Sequence, residues 1–404
     1  MSARTAALAA GAAVLVLVTA LSALAWAEGA PFAPAPGGRD GGSATWGLGL
    51  LAAAFGVYVV GILLVARGGA PFVGAAALAV AIQVIPVFAP LLVSTDAWTY
   101  WDYGWVGGVA HGDPYVASPS DYPESPAYRW TGEAWRDTTS VYGPAFTLAS
   151  GPIARAAGDS ANAAAWTYKT LAAVASAATA LLAARLARRR AFAVTFVGWN
   201  PLLAVHLAGG GHNDAWVAAL LMAALALGLA VPPRRHLAGA AWALAIAVKW
   251  VPLLFLGLVV LTRGRRPAVG VLGLIATAAL VAAVATSEYG PDWVGAPLTL
   301  AGNAALETSY ALPARAEDIG VPDDVATALF GAAFGVGLVL LAWEARRGRL
   351  RLARAALLVL LTTPYLAVWY LAWAVPLAAS EEDRWARVGC VLLGAYLLPQ
   401  GIPT

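Results

Sequence analysis

Apolar runs long enough to cross a bilayer recur along the whole chain, for example over residues 6–26, 46–65 and 72–93. A spanning helix needs about 20 such residues. In hydrocarbon each backbone polar group must be satisfied within its own segment, which a helix achieves. The pattern therefore predicts an all-α, polytopic transmembrane bundle of about 10–13 membrane segments, some broken or re-entrant. It reads as one domain over residues 1–404, interrupted by two polar stretches at 93–140 and 288–324.

Composition agrees with this reading. Of the 404 residues 60% are hydrophobic and 12% charged, and the mean hydropathy of +0.72 lies outside the range of soluble globular chains. Membrane lipids are the expected surroundings, and no nucleic-acid partner is expected. The lone Cys390 excludes an internal disulfide and a multi-cysteine zinc site. The first apolar run, preceded by Arg4 and followed by Ala25-Trp26-Ala27, has signal-peptide traits but is too long for a typical apolar core. It is read as an uncleaved helix that leaves Glu28 outside.

Charge distribution gives orientation. Arginines cluster at 185–190, 234–235, 263–266 and 346–354, and the positive-inside rule assigns these to the cytoplasm. Residues 96–140 instead carry Asp96, Asp102, Asp113, Asp121, Glu124, Glu133 and Asp137 against Arg129 and Arg136. With the acid-rich 288–324, this loop is assigned to the extracytoplasmic side, where the two would form the substrate site.

Parity then constrains the helices. Arg234 and Arg235 can share a face with the 263–266 cluster only if the chain crosses an even number of times between them, yet one apolar run, 237–261, lies there. A break at Lys249-Trp250-Val251-Pro252 resolves this as two half-length helices, because Pro lacks an N–H donor and its predecessor disfavours helix. The alternative is one long kinked helix. By the same logic residues 142–157, with Pro144 and Pro152, lie on or re-enter the outer face. The stretch 357–379, broken by Pro364 and Pro376, leaves the side of the C-terminus open.

Ionisable residues inside apolar runs are costly and so are functional candidates. The only lysines are Lys169 and Lys249. Lys249, at the hairpin tip, offers a compact ammonium suited to a phosphate; Lys169 is read first as a side chain snorkelling to the interface. His212-Asn213-Asp214 follows Gly209-Gly210-Gly211. Asn213 or Asp214 would cap the next helix, the glycines would let a ligand approach the backbone, and a helix N-terminus attracts anions. His212 and Asn213 thus read either as a phosphate site or as a capped turn. A metal site is not expected.

The densest chemistry is Ser94-Thr95-Asp96-Ala97-Trp98-Thr99-Tyr100-Trp101-Asp102-Tyr103, followed by His111-Gly112-Asp113-Pro114-Tyr115. Partial loss of water at the membrane surface would strengthen Asp96 as a base toward a hydroxyl. Trp98 and Trp101 offer faces on which sugars stack, although aromatic residues also mark any membrane interface.

These residues, in this order, carry a resemblance. An outgoing helix is followed by Asp96, a Gly-Asp-Pro-Tyr (112–115), Tyr142-Gly143-Pro144, Gly-His-Asn-Asp (211–214), a Lys249-x-x-Pro252 and a late Trp-Tyr-Leu-x-Trp (369–373). The chain resembles the GT-C glycosyltransferases that use polyprenyl-phosphate sugars, especially the actinobacterial polyprenyl-phosphomannose-dependent mannosyltransferases. The resemblance implies an inverting, cofactor-free transfer of a sugar, mannose above all, from the lipid phosphate to a lipid-linked or glycan acceptor. Asp96 would be the general base, and His212 and Lys249 would face the departing phosphate. Asp102, Asp113 and Tyr142, with Asp214, would bind the acceptor or build the loop. The chain is shorter than many enzymes of this kind and shows no extended C-terminal extracytoplasmic domain, a departure that counts against the expectation of a long polymeric acceptor. A transporter or flippase also uses broken helices, but such proteins show matched halves, and no second copy of the Asp96 or Gly-His-Asn-Asp region exists here.

Overall fold

The computed structural model describes residues 2–27, 30, 32–34, 44–264, 266–302 and 308–402. Glu28 and Arg265 lie outside the described residues. The described fold is helical. In chain order the helices are α1 (Ala3–Leu24), α2 (Thr45–Gly68), α3 (Phe72–Val84), α4 (Asp96–Gly108), α5 (Pro144–Ala157), α6 (Ala161–Leu186), α7 (Arg190–Gly198), α8 (Pro201–Leu203), α9 (Asp214–Gly228), α10 (Arg235–Val248), α11 (Pro252–Leu261), α12 (Val271–Tyr289), α13 (Ala296–Gly302), α14 (Leu312–Asp318), α15 (Asp323–Arg346), α16 (Leu352–Thr362), α17 (Leu371–Glu381) and α18 (Arg384–Leu397). A π-helical turn, Ala204–Gly209, continues α8.

Five of these, α1, α2, α6, α12 and α15, are long and apolar enough to span a bilayer, and the pair α7 and α8 makes a sixth span bent by 46°. Shorter apolar helices supply the rest, including α9, α10, α11 and α16. In α12 and α15 only 6% of the apolar window is buried inside the protein. Apolar surface of that extent is accommodated by lipid rather than water. The protein is thus a multi-pass membrane protein with fewer full-length spans than apolar runs.

The two ends of the bundle differ in charge. At one end Arg189 bonds the Ala66 carbonyl, its amide donates to Glu382, and Arg351 and Arg354 pair with Asp383. The Arg263 amide joins the same end by donating to the Ala345 carbonyl. Helix α9 packs along α6 toward this end, and the Gly228 and Arg235 carbonyls there accept from Ala268 and Gly270. Helix α10 leaves this end and arrives at Val248, whose carbonyl accepts from Gly143 at the opposite end, at 3.1 Å. Helix α11 then returns to Arg263. The break at Lys249–Val251 is therefore a hairpin and not the single kinked helix that the sequence left as the alternative.

A second hairpin forms from α16 and α17. Glu381, at the foot of α17, accepts from the amides of Leu352 and Ala353 that open α16, so residues 363–370 form the tip at the far end. Pro364 sits at that turn. Helix α18 then climbs, and the Gln400 side chain donates to the Leu366 carbonyl. The chain thus finishes its described course at the arginine-poor end, which settles what the sequence left open. Helix α5 lies across the same end against α4. Gly143 makes this possible: a Cβ there would stand 2.2 Å from the Ala247 carbonyl oxygen.

Candidate functional site

Asp96 opens α4 after a strained turn. Val93 has φ +56°, a conformation costing a β-branched residue about 1–3 kcal/mol. It is held because its amide donates to the Phe32 carbonyl at 2.8 Å, while Leu92 donates to Gly209 at 3.0 Å. Lys169 reinforces the approach. It does not snorkel; it is fully buried in α6 and donates to the carbonyls of Val87, Ala89 and Pro90. These carbonyls end the short 3-10 turn Ile85–Phe88, where no further helical donors follow.

The Asp96 carboxylate accepts from Ser94 Oγ at 2.8 Å and from Tyr100 Oη at 3.3 Å. His212 Nε2 stands 3.5 Å from its Oδ2. On the other side of the ring, Nδ1 lies 2.5 Å from the His206 carbonyl, and Trp369 stacks on the ring face at 3.8 Å. The glycines preceding His212 serve this fold-back rather than a ligand. Gly211 adopts φ +73°, and a Cβ on Gly210 would meet both the His206 oxygen and the His212 ring within 2.7 Å.

Asp214, in the first turn of α9, reaches the hairpin tip. Both its oxygens accept from Lys249 Nζ, at 2.9 and 3.0 Å, and Oδ1 also accepts from Trp373 Nε1 at 2.8 Å. Lys249 stands 4.7 Å from the Tyr370 ring centre and 5.3 Å from that of Trp373, a cation–π arrangement. Asn213 occupies the N-cap position without a side-chain cap bond; both its amide atoms are buried and unpaired.

Two cavities meet at Asp96. One, of about 360 Å³, is walled by apolar and aromatic groups, among them Tyr142, Val251, Leu300, Tyr365 and Tyr370, and Lys249 is its cation. The other, of about 400 Å³, is polar and includes Arg129, Glu133 and Arg136. Asp96, Trp135, Tyr365 and Trp369 line both. Asp96 is the only carboxylate on the apolar cavity among the described residues.

The structure brings together Asp96, His212, Asp214, Lys249 and Tyr142, and it places other candidates elsewhere. Asp102 is fully buried, its oxygens accepting from Ser125 Oγ and Thr131 Oγ1, each at 2.7 Å. It ties the loop to α4, and burial pushes its carboxyl up to about 6. Asp113 caps the Tyr115 amide at 2.8 Å, its carboxyl raised by partial burial. Trp98 donates to the Ala161 carbonyl and packs on Trp130, and Trp101 is fully buried; neither lines either of these two cavities. The aromatic faces that do line the cavities come from Trp130, Trp135, Tyr142, Trp250 and Trp373 and from the α16–α17 tip. The late Trp-Tyr-Leu-x-Trp motif marked that tip, but nothing in its spacing showed that it folds onto Asp96.

The fold and site define a multi-pass helical membrane protein with a carboxylate between an apolar and a polar cavity, and sequence comparison gives the family. Residues 5–265 match the family described as α-(1→6)-mannopyranosyltransferase, N-terminal domain. α-(1→6)-Mannopyranosyltransferase B of Corynebacterium glutamicum is 26% identical over 94% of this chain and 67% of its own length. α-(1→6)-Mannopyranosyltransferase A of the same organism is 26% identical over 57% of this chain and 52% of its own length. That of Mycobacterium tuberculosis is 29% identical over 72% and 63% respectively. The chain therefore spans roughly half to two thirds of the length of these relatives. No solved structure matches it. The chain belongs to the α-(1→6)-mannopyranosyltransferase family, and with it to the glycosyltransferases.

Proposed function

We propose that the protein moves mannose from a polyprenyl-phosphate donor to a hydroxyl of a lipid-linked or glycan acceptor, on the outer face of the bacterial plasma membrane, with inversion. The observation that carries this is the placement of Asp96 on the wall shared by two cavities of opposite character. The apolar cavity suits a lipid chain, and Lys249 keeps a third N–H for the phosphate after giving two to Asp214. The polar cavity suits a sugar acceptor, with Trp135 and Trp369 as stacking faces.

In this reading the acceptor hydroxyl gives its proton to Asp96 as its oxygen bonds the anomeric carbon. The carbon–oxygen bond to the phosphate breaks, and the electron pair leaves on that phosphate. Positive charge beside the leaving group stabilises it. A double displacement would require a second carboxylate as nucleophile beside the donor, and among the described residues the apolar cavity offers Asp96 alone. The arginine-poor end that holds the site faces outward by the positive-inside rule.

The test uses membranes containing the full chain, supplied with radiolabelled polyprenyl-phosphomannose or with GDP-mannose while polyprenyl-phosphomannose synthesis is blocked. Transfer from the lipid donor alone supports the proposal; transfer from GDP-mannose under the block contradicts it.

A further inference from the structure

We infer that His212 is a positioning residue for Asp96 that also receives the proton Asp96 takes from the acceptor, an inference that rests on the function proposed above. Three features of the ring carry it. The contact of Nδ1 with the His206 carbonyl, at 2.5 Å, can be a hydrogen bond only if Nδ1 carries the hydrogen, because a carbonyl oxygen only accepts. In the neutral ring that leaves a lone pair on Nε2. Nε2 is buried, has no hydrogen-bond partner and faces Asp96 Oδ2 at 3.5 Å. Its ring is fixed by the Trp369 stack and by the π-helical turn that presents the His206 carbonyl; such turns recur at functional sites.

A buried acceptor without a donor is costly, and here a proton on Asp96 would satisfy it. After sugar transfer Asp96 is a carboxylic acid. A small rotation brings its O–H to Nε2, the proton crosses, and an imidazolium paired with the Asp96 carboxylate results. The proton then returns through Asp96 to water in the polar cavity, and the dyad is ready again. His212 lines neither cavity, so this geometry gives it a role behind the base rather than on the donor phosphate. The charged and titratable groups around it are Asp96 from α4, Asp214 from α9, Lys249 from the hairpin tip and His206 from the π turn.

His212→Gln keeps a polar side chain of similar size but cannot carry a proton. In the full-length protein it is expected to lower kcat on the order of 100-fold, to leave KM for donor and acceptor unchanged, and to move the acid limb of the pH profile. Wild-type kcat with an unmoved acid limb would overturn the inference, as would a rise in KM that accounts for the whole loss. The unaltered protein gives a second test that survives any folding defect: 15N spectra of its histidines, filtered for proximity to an aspartate carboxylate. A bare Nε2 and a protonated Nδ1 are expected, and a hydrogen on Nε2 would overturn the relay. Absence of mannosyl transfer by the wild type would strike the proposed function instead, which separates the two failures.

Discussion

Lys249 Nζ lies 2.9 and 3.0 Å from the two oxygens of Asp214, joining two helix breaks that are 35 residues apart in sequence. The Asp214 side chain is fully buried and that of Lys249 is 12% exposed. Removing one partner of such a pair leaves a buried charge and typically costs about 3–5 kcal/mol. Lys249→Met should therefore lower thermal stability in detergent and raise KM for the donor. Lys249→Met combined with Asp214→Asn should regain most of the stability without regaining donor affinity. Restored donor KM in the double variant would show that Lys249 does not serve the phosphate.

The folded loop should respond to pH through Asp102. Burial raises its carboxyl to about 6 from 3.8, so the folded state holds the proton more tightly than the unfolded state. Stability is then greatest below the unfolded value and declines as pH rises through about 6, by on the order of 3 kcal/mol in total. Proteolysis of the 109–139 loop should be slower at pH 5 than at pH 7.5. Asp102→Asn should flatten this dependence, and Asp102→Ala, which strands the Ser125 and Thr131 hydroxyls, should destabilise by about 1–3 kcal/mol.

Gly143 is a packing requirement of the hairpin. Gly143→Ala would set a methyl 2.2 Å from the Ala247 carbonyl oxygen, forcing α5 away from α10 at a cost of about 1–3 kcal/mol. Loss of transfer activity with retained expression is expected, measured beside the thermal midpoint; unchanged values for both would mean that the contact yields without consequence.

Sidedness follows from the hairpin. A cysteine placed by Trp250→Cys should react with an impermeant reagent added outside intact cells, whereas one placed by Arg263→Cys should react only after permeabilisation. Labelling of both from outside would remove the topology on which the outer site depends.

Much of this arrangement was written in the sequence, and the reason is physical. Charge parity and Pro252 favoured the hairpin over one long kinked helix, because arginine clusters cannot change sides without a crossing. The order of Asp96, Gly-His-Asn-Asp and Lys249 marked residues that the fold brings together around Asp96. What was hidden depends on tertiary packing. Nearly every residue of α4 is buried, so Trp98 and Trp101 could not be told from ligand-facing aromatics by composition. The fold-back of His212 onto the His206 carbonyl depends on a π-helical turn that no apolar periodicity announces. The tip at 363–370 comes from far along the chain, and tertiary contacts fix its height: Glu381 with the start of α16, Gln400 with Leu366 and Trp369 with His212.

The central claim is that Asp96 is the base of a glycosyl transfer. The most direct measurement is the rate of mannosyl transfer from polyprenyl-phosphomannose by Asp96→Asn, set against donor binding by the same variant. Asn keeps an oxygen acceptor for the Ser94 hydroxyl and sets an NH2 group at the position that accepts from Tyr100, but it cannot take a proton, so turnover should fall by about 10²–10⁴-fold with donor affinity preserved. Turnover near the wild-type rate in a variant that folds and binds donor would contradict the account.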